Sequence, residues 1–340
     1  MADVVTFGEL MLRLSPPGYQ RFVQASSFEA TYGGAEANVA VSLAQFGMNV
    51  DYITKLPANP IGDAAFNELR RYGVGTRGIL RGGARLGIYF AEKGASQRGS
   101  QVVYDRLGSS FQQSMPEEWD WKSILSGARW FHFTGITPAL GENVAQACLD
   151  ACNTAHRLGI PVSCDLNYRA KLWSREKAHE TMSELCRHVD VCIANEEDAW
   201  SVFDIKTDQK ALLSGKLDVD AYRKTAEAMQ ERFGFSKVAI TLRKSFSASD
   251  NSWSALLLED ESFYHSREYS IHIVDRVGGG DAFGGGLIYG LLNGMDGRNA
   301  LEFGVAAGCL KQTIEGDFNL VTVNEVKKLA GGDGSGRVQR

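Results

Sequence analysis

The chain has 340 residues and a formal net charge of −5, with no long basic block. That balance argues against nucleic acid or an anionic membrane surface as the main partner. Apolar residues make up 44% and charged residues 23%, the proportions of a soluble globular protein, and no apolar run reaches bilayer length. The N-terminal stretch MADVVTFGELMLRL has no basic region followed by an uncharged apolar segment, so the expectation is a cytosolic protein.

In chain order, short β-rich runs alternate with longer helical patterns. Strands are expected at Val4–Gly8, Val50–Thr54, Trp130–Phe133, Ile160–Cys164, Val189–Ala194 and Lys237–Leu242. Helices are expected at Ala35–Phe46, Ala64–Tyr72, Asn143–Leu158, Arg175–His188, Val219–Phe233, Ala282–Leu292 and Asn299–Ile314. Gly47 and Gly159 stand where two of these helices need a C-terminal stop. The alternation predicts an α/β fold with a mostly parallel central sheet and helices on both faces. Residues 12–34 and 84–106 break the rhythm with hairpin-like runs, which read as a small β-sheet lid. The segment 331–340 has loop composition and reads as a mobile tail.

Cys148, Cys152 and His156 recur at helical spacing and could line up three metal ligands. No fourth ligand or paired C-x2-C spacing supports them, so they read as a core stripe with reduced, buried thiols. Polar residues gather just beyond the expected strand ends: Glu9, Thr134, Asp165, Asn167, Arg169 and Asn195. Open α/β sheets bind ligands at that edge.

The segment from Asp275 to Gly286 carries three glycines, an aspartate and then an apolar helical pattern. Such a turn leaves main-chain N–H groups free at a helix start, a seat for an anion such as phosphate. Asp281 stands where it could touch the attacking group. It could equally be a helix N-terminal acid favoured by the dipole. The GxxxxGK(S/T) phosphate loop is absent, since Leu217 follows Gly215-Lys216. The GxGxxG fingerprint fails at Phe283.

The Gly278–Gly286 run resembles the C-terminal signature of the PfkB-type, ribokinase-like carbohydrate kinases. The run from Tyr32 to Ala40, with Leu43 and Gly47, resembles their N-terminal signature. The resemblance implies a ribokinase-like three-layer α/β/α sandwich with a β lid, one kinase domain over residues 1–330, and ATP and Mg²⁺ as cofactors. It implies an anion hole from the N–H groups of Val277 to Asp281, including Gly278, Gly279 and Gly280, with Asp281 as the base. A helix N-terminus lowers a carboxylate's pKa, so that base is expected to take its proton late. Asn195, Thr241 and Asn167 would face the nucleotide, and Arg243, a departure from the usual T-L-G, could bind its phosphates. Asp198 stands at the last position of an N-x-x-E element and would reach the metal through water. Arg276 replaces the usual threonine, a departure at the family's monovalent-cation site.

Within the family, Arg85–Tyr89, Tyr104–Arg106 and Asp165–Arg169 resemble the kinases of 2-keto-3-deoxygluconate. That resemblance implies a sugar-acid substrate touching Gly34, Tyr89, Tyr104, Arg106, Arg169 and Asp317, with Asp281 at its terminal hydroxyl. Arginine suits a carboxylate through charge-assisted hydrogen bonds. Arg106 could instead form a surface ion pair with Asp105 or another acid. A neutral-sugar kinase and a catalytically silent sugar-acid sensor are the competing readings. An exposed lid edge implies a homo-oligomer paired through the lid.

Overall fold

The computed structural model describes residues 1–195, 197–205 and 219–336. Glu196, the Gly215-Lys216 pair and the last four residues of the tail lie outside them. The strands, in order, are β1 (Val4–Phe7), β2 (Met11–Ser15), β3 (Glu29–Gly33), β4 (Val50–Ile53) and β5 (Lys55–Leu56). Then come β6 (Leu80–Arg81), β7 (Gly87–Glu92), β8 (Gln101–Asp105), β9 (Trp130–Thr134) and β10 (Val162–Asp165). The last are β11 (Val191–Asn195), β12 (Lys237–Ser245), β13 (Asp250–Glu259), β14 (Ser262–His265) and β15 (Tyr269–His272).

The main sheet runs β4-β1-β9-β10-β11-β12 in parallel, then turns antiparallel through β13, which pairs with both β14 and β15. All six parallel strands match the expected runs. The antiparallel extension was not foreseen, because β13 is buried from Asn251 to Leu258 and so shows no alternation of apolar and polar residues. Helices cover both faces. Glu142–Arg157, Arg175–Leu185 and Val219–Phe233 close one core. Ala35–Gln45, Gly279–Leu292 and Gly297–Lys311 close the other.

Beyond Asp281, Gly279–Leu292 carries no charged residue, as suits a helix mostly buried between the sheet and its neighbouring helices. A Cβ on Gly286 would lie 2.8 Å from the Gly304 Cα, so glycine here lets two helix backbones approach closely. The Cys148 and Cys152 side chains are buried in the first core, whereas His156 is exposed. Among the described residues no cluster of metal-ligating groups forms, and the core-stripe reading stands. Also among them, no helix is long and apolar enough to cross a membrane.

The lid is a four-stranded sheet ordered β3-β2-β7-β8, drawn from the two segments expected to form it. Its β2 follows β1 after a three-residue link, so the lid stands over the carboxyl ends of the parallel strands.

Candidate active site

The turn from Asp275 to Asp281 begins the cleft floor. Gly278 has φ 83°, the left-handed region where a side chain is strained. A Cβ there would also run into the Asp317 main-chain oxygen. The helix therefore starts at Gly279, three residues earlier than expected. The Gly278, Gly280 and Asp281 N–H groups have no protein acceptor among the described residues, and all three residues line the cleft. Fewer N–H groups are free than the sequence implied. The Val277 N–H donates to Asp275 Oδ1 at 3.2 Å, and the Gly279 N–H bends back to the Arg276 carbonyl at 3.4 Å.

Asp281 accepts a 2.6 Å hydrogen bond from Asn38 Nδ2, which the helix Ala35–Gln45 carries to it. Burial pushes the Asp281 carboxyl up to about 7; the Glu36 and Asp317 carboxylates push the same way, while Asn38 and Arg169 oppose them. The helix terminus was expected to lower this pKa, and burial outweighs it. Glu36 is itself buried, accepting hydrogen bonds from the Thr134 N–H (2.9 Å), the Thr134 hydroxyl (2.8 Å) and the Thr137 hydroxyl (2.7 Å). It ties the Asn38 helix to the rim of β9. Gly34 passes so close to the Glu9 carbonyl that a Cβ would collide with it.

On the lid side, the ion pairs differ from those expected. Arg106 is 8% exposed and donates from both Nε (2.8 Å) and Nη2 to Glu9 Oε2. The surface pair with Asp105 belongs to Arg85 instead, at 2.8 Å. Asp317 is also already held: it accepts from the Tyr89 hydroxyl and from Arg13 Nη1 at 2.7 Å. Arg13, on β2, reaches Asp275 Oδ2 at 2.7 Å with its other amino group. Lid and anion-hole turn are thus joined by a buried Asp275–Arg13–Asp317 triad. The Tyr89 and Tyr104 rings lie 5.9 Å apart, and the Arg106 guanidinium sits 5.7 Å from the Tyr104 ring centre. Arg169 makes no salt bridge among the described residues, although its charge acts on Asp281 and Asp165 across the cleft; its Nη1 donates to the Tyr168 carbonyl at 3.0 Å, and it lines the cleft.

The rim at the ends of β10 and β11 is locked by Asp198. Its two oxygens accept from the Tyr168 N–H (3.1 Å) and the Asn195 N–H (3.0 Å). Asn195 Oδ1 in turn accepts from the Glu197 N–H (2.8 Å) and the Asp198 N–H (3.2 Å). Asp198 is 2% exposed and does not line the cleft; it clamps the loop that bears Asn167 and Arg169. Asn167 takes φ 42°, a conformation asparagine tolerates better than most residues. Thr241 donates to the Ala194 carbonyl at 3.3 Å. Arg243 and Arg276 both line the cleft, and burial followed by the charge of Arg243 lowers the Arg276 pKa. Two guanidinium groups that repel each other favour an anion between them. Asp165 lines the same cleft, its carboxyl pushed well up by burial and then by Asp198 and Asp281.

Glu9, Arg13, Asn38 and Lys311 complete this site, and the sequence singled out only the first as a rim residue. Asn38 lay inside the quoted N-terminal motif, a signal that could have found it. Arg13 and Lys311 gave no local signal. Every other expected contact residue, with the exceptions of Asp198 and Gly279, lines a single cleft of ≈ 360 Å³.

Residues 1–332 match the pfkB family carbohydrate kinases. The crystal structure of 2-dehydro-3-deoxygluconokinase from Thermotoga maritima superposes with a TM-score of 0.93 at 52% identity, over 97% of this chain and 98% of that one. A 2-dehydro-3-deoxygalactonokinase from Haloferax volcanii is 34% identical over 98% of both chains. The 2-dehydro-3-deoxygluconokinase of Bacillus subtilis is 28% identical, over 96% of this chain and 94% of its own. With matches of that extent beside a glycine turn of unpaired N–H groups and its neighbouring acid, the chain belongs to the pfkB family of carbohydrate kinases.

Proposed function

We propose that this kinase uses ATP to phosphorylate 2-keto-3-deoxygluconate at its terminal hydroxyl, giving the 6-phosphate. The observation that carries the substrate class is Arg169, a cation that makes no salt bridge among the described residues, facing the cleft that holds Asp281. A substrate carboxylate would give that guanidinium a direct, charge-assisted partner, which a neutral sugar does not offer. The Thermotoga and Bacillus relatives support the gluco epimer by their names, and the Haloferax relative favours the galacto epimer as a second reading.

In this reading the γ-phosphoryl group sits against the Gly278, Gly280 and Asp281 N–H groups, which stabilise the charge that builds during transfer. The Asp281 carboxylate takes the hydroxyl proton as the oxygen–phosphorus bond forms. A pKa of about 7 suits that task at neutral pH, since an ordinary carboxylate is a weaker base. Tyr104 and the remaining Arg106 nitrogen flank the sugar acid, and Arg243 and Arg276 flank the nucleotide phosphates. Asp165, which lines the cleft with Asp281, would hold a hard cation such as Mg²⁺, because an ion carried by ATP needs only one or two protein carboxylates. When bound it would neutralise phosphate charge. Asp198, with both oxygens held by main-chain donors, would reach it only through water. The unpaired outer edge of β8 suits pairing with a second lid, making a homo-oligomer.

ADP release should be followed with the gluco and galacto keto-deoxy acids, gluconate, fructose and a riboside. The reading expects the highest kcat/KM with a keto-deoxy acid, which would also exclude a silent sensor. Equal turnover of fructose would overturn the sugar-acid assignment.

A further inference from the structure

Lys311 ends the helix Gly297–Lys311, and it is fully buried beneath the anion-hole turn. Its ammonium donates to three main-chain carbonyls: Asp275 at 3.2 Å, Ile314 at 3.3 Å and Gly316 at 2.5 Å. The first belongs to the turn that leads to Gly278, and the other two to the loop that leads to Asp317. The two segments touch further: the Gly316 N–H donates to Asp275 Oδ2 at 3.3 Å, and the Val274 and Asp275 N–H groups share the Gln312 carbonyl at 2.9 and 3.2 Å. Gly278 packs against the Asp317 carbonyl and the Lys311 side chain, where a Cβ would come within 3.2 Å of Lys311 Cε.

A lysine near a helix end commonly bonds the last carbonyls of its own helix. Here one acceptor lies 36 residues away in sequence, so the ammonium bridges two separate segments. The charge balance is also specific. Asp275 and Asp317 are two buried carboxylates, and Arg13 supplies one positive charge. Lys311 supplies the second, leaving the cluster neutral. Remove it, and a cage of carbonyl oxygens with one surplus negative charge remains. That is the donor set and the charge for a monovalent cation the size of ammonium or potassium. The residues therefore do not fit a bound monovalent cation, since the ammonium already fills the cage.

We propose that the Lys311 ammonium is a tethered monovalent cation, which fixes the anion-hole turn on the 314–317 loop so that this kinase works without potassium. The inference rests on the kinase reading for its catalytic arm. Lys311 is a positioning residue: it touches neither substrate, and it acts through Asp275 and Gly278. Asp275, Asp317, Asp281 and Arg13 are the charged groups that face it. Burial pushes its pKa down to about 8, against the pull of Asp275 and Asp317.

The test compares turnover and thermal unfolding of the full chain in tetramethylammonium chloride with both in KCl at equal ionic strength. Wild-type kcat and melting temperature should be the same in both salts. In tetramethylammonium, Lys311→Ala should lose about tenfold or more in kcat with a KM for the sugar acid changed by less than about threefold. KCl or NH4Cl should restore that kcat and raise the melting temperature of this variant only. Lys311→Met fills the space without charge and should fall equally, with no rescue by either salt. Wild-type kcat should also decline above pH about 8, whereas potassium-rescued Lys311→Ala should not. Potassium activation of the wild type by about tenfold would overturn the proposal, as would Lys311→Ala with full kcat in tetramethylammonium. If Lys311→Ala does not fold, the wild-type salt comparison decides alone. A wild type inactive in every salt would instead sink the kinase reading, and the melting comparison would still judge this one.

Discussion

The anion-hole turn and the lid pocket face each other across one cleft, but they are built differently. The turn is main chain: Gly278, Gly280 and Asp281 offer N–H groups held by backbone geometry and by the buried Asp275–Arg13–Asp317 triad. The lid pocket is side chain, assembled from Glu9, Tyr89, Tyr104, Arg106 and Arg169 on four separate segments. Main-chain donors carry no side-chain identity of their own, so the turn suits chemistry that serves any sugar. Side-chain charges can be exchanged one at a time, so the lid pocket suits the choice of sugar. Arg13 belongs to both, since it carries the lid strand β2 onto the turn.

The sharpest way to break this division is at Asp281. Asp281→Asn should lower kcat by about 10²–10⁴-fold for every substrate while ATP binding, measured by calorimetry, stays within a few-fold. Substituting Arg13 attacks the link. Arg13→Met leaves Asp275 and Asp317 buried without their shared cation and should cost about 3–5 kcal/mol of stability, read by denaturant unfolding. Arg169→Ala probes the lid side and should cost about 1.5–3 kcal/mol in kcat/KM for a sugar acid. A loss of that size confined to kcat, with KM unchanged, would count against a binding role.

The smallest effects are those of pH. Burial raises the Asp281 pKa from 3.8 to about 7. Its protonated form therefore favours the fold below the unfolded value, and that contribution is lost as pH climbs through about 7. Asp281→Asn stays neutral, so it should unfold about 1–2 kcal/mol later than wild type at pH about 8 and show no advantage at pH about 4. The same pKa sets wild-type kcat/KM rising with pH through about 7, with no such limb in the variant. A flat wild-type profile between pH about 5 and 8 would remove Asp281 as the base.

The contrast between the two regions also governs what the sequence disclosed. Six parallel strands could be read because each is a short β-rich run followed by a helical period. The turn was legible because three adjacent glycines before an acid are a local signal. The strands β13 to β15 were not, since a strand buried on both faces has no alternation to read. In the lid pocket, Tyr89, Tyr104, Arg106 and Arg169 could be named from motif resemblance, but their partners could not. Glu9 lies 97 residues from Arg106, and Arg13 lies 304 from Asp317, so only folding reveals those pairs. The direction of the Asp281 shift was missed for the same reason. The helix terminus is visible in sequence, whereas burial and the acids Glu36 and Asp317 come from elsewhere in the chain.

The most direct test of this division is the ratio of kcat/KM for 2-keto-3-deoxygluconate to that for fructose, measured in wild type, Asp281→Asn and Arg169→Ala. Asp281→Asn should lower both values and leave the ratio near that of wild type. Arg169→Ala should lower the ratio by about tenfold or more. A ratio unmoved by Arg169→Ala, or one shifted by Asp281→Asn alone, would contradict the separation of chemistry from recognition.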